Sequence, residues 1–142
     1  MAVQAQADMF VSIHCNAHKN KNVRGVSTYF LDDTDDQESI MTALKENYSQ
    51  GDYTAAVDSK ETRDLLSYTF ASLQKNYDTI RSIPLADMIH KKMLKSLKKG
   101  NYNVGDLGVR KGVFWVLCGT NTPAVLVETS FISNPEEESR LK

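Results

Sequence analysis

Long apolar runs are missing from this 142-residue chain. Nothing in it approaches the roughly 20 residues needed to cross a bilayer. An excess of one charge sign is missing too. The net charge is −1, which removes the electrostatic case for nucleic-acid binding. The two cysteines, Cys15 and Cys118, are too few for a disulfide framework. One bridge between them stays open, beside the plainer reading of two small thiols lining a core. There are three histidines, His14, His18 and His90. A zinc site built from this chain alone would use most of them or borrow carboxylates. The stretch Met1-Ala2-Val3-Gln4-Ala5-Gln6 has no basic region followed by an apolar core, so it does not read as a secretory signal. No internal repeat or low-complexity segment is present. What is present is ordinary: 41% hydrophobic and 25% charged residues. That suits one folded domain and excludes a disordered chain.

The chain reads as strands, then helices, then strands. Met9-Phe10-Val11-Ser12-Ile13-His14 is short, apolar and β-prone, and His18 to Asn22 follows as a polar loop. Gly25 to Leu31 is a second strand, ended by the acidic cluster Asp32, Asp33, Asp35 and Asp36. Helical spacing begins near Asp36. Ile40, Leu44 and Tyr48 form one stripe, and Gln50-Gly51-Asp52 breaks it. Leu66, Phe70, Leu73 and Tyr77 form a second. Pro84 is expected to interrupt. Leu85, Met88, Ile89, Met93 or Leu94, and Leu97 form a third stripe, stopped by Lys98-Lys99-Gly100. Two nearly continuous apolar runs follow, Val113 to Leu117 and Ala124 to Glu128, and both suit strands buried on two faces. Asn134 and Pro135, followed by three glutamates, open a last helix. The order predicts an α/β layer fold: a mostly parallel sheet flanked by helices, with chemistry at the carboxyl ends of the strands.

That rule selects His14 and Glu128, each at the end of an apolar strand. His14 reads as a metal ligand, a general base or a satisfied core ring. His18 reads as a loop residue, and His90, beside Lys91 and Lys92, as facing solvent. Glu128 is the more informative of the pair. A carboxylate directly after Val125-Leu126-Val127 needs a cationic partner, a metal, or a raised pKa that readies it for proton transfer. A strand-end His near a strand-end Glu suits metal-assisted hydrolysis.

Phe10-Val11-Ser12-Ile13-His14-Cys15-Asn16-Ala17 resembles the Ser-Ile-His-x-Asn-Ala segment of zinc-dependent N-acetylmuramoyl-L-alanine amidases. Val127-Glu128-Thr129-Ser130-Phe131-Ile132-Ser133-Asn134 is similar to the family's Val-Glu-x-x-Phe-x-x-Asn segment. Gly25 to Phe30, and Gly108-Val109-Arg110 with Phe114 to Leu117, match two further family segments in order and spacing. The resemblance implies hydrolysis of the amide between N-acetylmuramic acid and L-alanine in peptidoglycan. It implies His14 as a zinc ligand, Glu128 as general base and acid, and Asn16 and Arg110 as substrate-binding or positioning residues. It also implies a bacterial periplasmic or envelope location, and autolysin-type activity.

Relatives carry a His-Gly-Gly-like segment and a glutamate ligand before the Ser-Ile-His strand. Neither is found in this chain, so residues 1–142 are expected to form a partial catalytic domain, truncated at its N-terminal edge, with an incomplete zinc site. The stretch from about 32 to 84 reads as a helical insertion. In longer relatives such an insert covers the cleft and in some cases places a glutamate on the zinc, a role open here to Glu38, Glu46 or Glu61. Ordinary solvated helix faces would supply the same carboxylates. The insertion is also where an activator protein would bind. The rival reading is a catalytically inactive fragment or a peptidoglycan- or partner-binding module.

Overall fold

Alternation of side chains decides the layers. In β1 (Phe10–Asn16), Ser12, His14 and Asn16 turn to one face, while Val11 and Ile13 turn to the other, where Ile13 is 71% exposed. β2 (Val26–Leu31), β3 (Asp106–Gly112) and β4 (Ala124–Phe131) complete a four-stranded sheet in the order β1-β4-β2-β3. The computed structural model describes residues 2, 4–48, 77–118 and 120–142. β1 pairs with β4 in parallel and β2 with β3 in parallel, while β2 and β4 are antiparallel, so two of the three pairings are parallel. β4, the most apolar strand, lies between two neighbours and is buried on both faces, as its continuous Ala124 to Val127 run requires.

The helices α1 (Gln37–Asn47), α2 (Tyr77–Lys99) and α3 (Pro135–Leu141) divide between the two faces. On the first, Ala124 and Leu126 pack with Tyr29, Phe114, Leu117 and Ala43 of α1. On the second, Val125 and Val127 pack with Phe30 and with Leu85 and Ala86 of α2. Neighbouring residues of one strand thus build two separate cores. Asp36 caps α1 by accepting from Ser39 N at 3.0 Å, and Asn134 caps α3 by accepting from Glu136 N and Glu137 N. Glu137 is itself buried and accepts from Phe131 N at 2.6 Å and Gly25 N at 3.0 Å, which ties the end of β4 to the start of β2. Gly25 has φ +133, and a Cβ there would meet Gly105 O at 2.6 Å, so only glycine allows this approach.

Several expectations are corrected. The run Val113 to Leu117 is not a strand. It holds a single 3-10 turn at Trp115–Leu117, and the strand lies just before it, as β3. Phe114 and Leu117, three apart, are buried while Trp115 and Val116 are exposed, which is a turn's spacing and not a strand's. Pro84 does not interrupt. It sits exposed inside α2, where it leaves one backbone acceptor without its usual donor while the core face continues around it. At the helix end the left-handed position is Asn101, with φ 58, and not Gly100. Met88 is exposed and not part of the core stripe, whereas His90 is buried and does not face solvent. Both cysteines are free. The stripe through Leu66, Phe70 and Leu73, the break at Gln50-Gly51-Asp52, and Glu61 lie outside the described residues. Among the described residues, no helix is long and apolar enough to cross a membrane.

Candidate active site

Parallel register brings His14 and Glu128 level on adjacent strands, and Ser27 of β2 lies level with Glu128 on its other side. Glu128 is 0% exposed, and neither carboxylate oxygen has a hydrogen-bond partner among the described residues. The apolar run that builds β4 carries the carboxylate inward with it. Burial, and then the nearby Glu46 carboxylate, push its pKa up to about 8, against a smaller opposing pull from Lys45. A buried carboxyl without partners favours its protonated form, because the charge has nothing to replace water.

His14 is held on both sides of its ring. Nδ1 lies 2.5 Å from Oε2 of Glu46, and Nε2 lies 2.9 Å from the Ser12 hydroxyl. The imidazole is 32% exposed, so one edge stays reachable. Glu46 arrives there because α1 crosses the sheet and is tethered along its length. Near its start, Arg110 donates to Glu38 at 2.7 Å and to Asp36 at 3.3 Å. Near its end, Lys45 Nζ donates to the Ala17 carbonyl at 2.8 Å. Asn47 donates from Nδ2 to Val113 O and accepts from Trp115 N, both at 2.9 Å. Of the three glutamates proposed for the insertion, Glu46 faces His14 and Glu38 serves Arg110.

The other sequence-selected residues lie apart from this pair. Asn16 is buried two residues beyond His14, and its Oδ1 accepts from Ala17 N at 2.7 Å. Arg110 is engaged at the opposite end of α1. His18 is in the exposed loop and bonds to Asn20. His90 is on the other face of the sheet, between Thr28 and Asp106. Ser12 was not singled out from the sequence. The signal for it was its spacing of two from His14, which puts both on one face of a strand.

A catalytic zinc takes three protein ligands and keeps one open position. The His14 imidazole and the Glu46 carboxylate are donors of the right kind, and the partnerless Glu128 is a proton carrier of the right kind. Among the described residues, no group of three or more His, Cys, Asp or Glu side chains is placed to hold a metal ion. In donor type His14 and Glu46 fit part of a zinc ligand set.

A family model described as N-acetylmuramoyl-L-alanine amidase matches residues 1–142. The chain is 32% identical over 136 residues to the N-acetylmuramoyl-L-alanine amidase AmiA of Escherichia coli K12, covering 95% of this chain and 45% of that protein. It is 32% identical over 143 residues to AmiC of another Escherichia coli strain, covering 99% and 32%. The chain therefore spans less than half the length of these curated relatives. The solved N-acetylmuramoyl-L-alanine amidase of Clostridium difficile 630 shares the fold, with a TM-score of 0.60 and 24% identity over 99% of this chain and 50% of that one.

Proposed function

The chain belongs to the N-acetylmuramoyl-L-alanine amidase family, and on that premise we propose that it is part of a zinc-dependent peptidoglycan amidase. The bond cleaved is the amide between the lactyl group of N-acetylmuramic acid and L-alanine, in the bacterial periplasm or envelope. One observation carries the reading: His14 and Glu128 stand level on adjacent strands, and Glu128 is buried without a partner.

Zinc, when bound, supplies a polarised carbonyl and a water of lowered pKa. The residues of this chain do the rest. His14 offers a ring nitrogen as one ligand. The Glu128 carboxylate takes a proton from the attacking water and delivers it to the departing amine of L-alanine. Burial and Glu46 raise its pKa to about 8 without a cation, and a divalent cation beside it would draw that value down toward neutral pH. Asn16 and Arg110 are assigned positioning roles, Asn16 from two residues further along β1 and Arg110 through the acids that anchor α1. In this reading residues 1–142 are a partial catalytic domain with its helical insertion at about 32–84. α1, which lies in that stretch, sets Glu46 against His14, and an activator protein would act there.

Glu128→Gln keeps the shape and removes the proton carrier. In the form of the protein that cleaves muropeptides, turnover is expected to fall about 100- to 10,000-fold with zinc content unchanged. Release of L-alanine amino groups and metal analysis measure the two quantities. Retained turnover overturns the role assigned to Glu128.

A further inference from the structure

We propose that Ser12 is a positioning residue: its hydroxyl holds Nε2 of His14 in either neutral tautomer, so that Nδ1 can pass from bonding Glu46 to ligating a divalent cation. This rests on the reading of His14 as a metal ligand and adds a residue to it.

Ser12 and His14 are two apart on β1 and share the face that α1 covers. The ring is gripped at both nitrogens, by Glu46 at 2.5 Å and by Ser12 at 2.9 Å. An ionised carboxylate only accepts, so Nδ1 carries the hydrogen while it faces Glu46. The neutral ring then has its lone pair on Nε2, which accepts from the Ser12 O–H. A cation at Nδ1 needs the opposite arrangement. The ring stays neutral, the hydrogen moves to Nε2, and Nε2–H donates to the Ser12 oxygen. A hydroxyl both donates and accepts, so it serves both states without moving. A carboxylate in its place would favour only Nε2–H. Ser12 therefore fixes the ring's orientation and leaves its tautomer free.

Nitrogen-15 correlation spectra of the histidine-labelled protein, in the form that cleaves muropeptides, report the tautomer directly, with the His14 ring assigned by its loss in His14→Gln. The expected result is Nδ1–H in the metal-free chain and Nε2–H on titration with zinc. Ser12→Ala is expected to weaken zinc binding about 10- to 100-fold, and Ser12→Thr to restore it. An unchanged zinc affinity in Ser12→Ala, with the wild-type ring responding to zinc, overturns the role of Ser12 alone. A His14 ring that zinc never perturbs overturns both this role and the ligand assignment beneath it. The Ser12–His14–Glu46 order also matches a nucleophile–base–acid relay. Covalent labelling of Ser12 by a fluorophosphonate would make it a nucleophile and overturn the positioning role.

Discussion

Two buried polar groups lie one residue apart along β2 and β4 but on opposite faces of the sheet. On the α2 face, Thr28 stands level with Val127, and its hydroxyl lies 3.2 Å from Nδ1 of His90. Nε2 of His90 lies 2.9 Å from Asp106, which also accepts from Gly108 N at 3.0 Å. Every member of that chain has a partner. On the α1 face, Ser27 stands level with Glu128, whose two oxygens have none among the described residues. Both clusters contain a histidine and an acid, so residue type does not separate them. Satisfaction does. A closed network repays its own burial and holds α2 to the sheet, whereas an open one is kept at the expense of stability for what it can bind or transfer.

The largest expected effect is on the open side. His14→Ala should lower zinc affinity, and cleavage with it, by at least about 100-fold, since ligand loss exceeds the loss of an outer-shell partner. The thermal midpoint should barely move, because the ring is partly exposed and its own neighbours are Ser12 and Glu46. Zinc stoichiometry and muropeptide turnover check this; unchanged metal content would move His14 into the same class as His90.

Next is a stability gain. Glu128 has its folded pKa raised from 4.5 to about 8. The folded state therefore binds the proton more tightly than the unfolded chain. That contribution is complete below about 4.5 and is lost as pH rises through about 8. Glu128→Gln has no charge to bury, so its advantage in melting temperature over wild type should grow from pH 5 to pH 9. A difference independent of pH would show that Glu128 has a charge partner after all.

On the closed side, His90→Ala should destabilise by about 1–3 kcal/mol, since it empties a buried position and leaves Thr28 without its partner. Zinc affinity should not change. Chemical denaturation measures the first and metal titration the second, and a zinc effect would join the two clusters functionally.

Sequence reading separated these clusters unevenly. β4 was legible because four apolar residues in succession have few other places to go, and Glu128 inherited its burial from them. His14 was legible as a strand residue but not as a strand end, since β1 runs on to Asn16 and β4 likewise runs past Glu128 to Phe131. His90 was misread because Lys91 and Lys92 beside it suggested solvent. Yet on a helix neighbours point about 100° apart, and His90 falls on the side of Ala86 and Leu94. The 3-10 turn at Trp115–Leu117 was hidden by apolar composition, since Trp115 and Val116 are exposed in spite of it. Glu46 could be narrowed only to one of three glutamates. Its selection depends on where α1 crosses the sheet, which the Asn47 and Lys45 tethers set and local sequence does not.

The smallest expected effect tests the comparison through its sign. Asp106 has its pKa lowered, first by the hydrogen bond with His90 and then by Gly108 N and nearby positive charge, against a partial opposing effect of burial. Its contribution is present in full above the ordinary value of 3.8 and is lost as pH falls from there through the lower folded-state value. The side chain is 51% exposed, so solvent screens the pair and Asp106→Asn should destabilise by under about 1 kcal/mol near pH 7. Wild type and variant should converge below pH 4, whereas wild type and Glu128→Gln diverge toward high pH. Two carboxylates of one small sheet would then respond to pH in opposite directions, one because it has found its partners and one because it has not. Parallel pH profiles for the two variants would remove that distinction, and with it the reason for placing the chemistry on the α1 face.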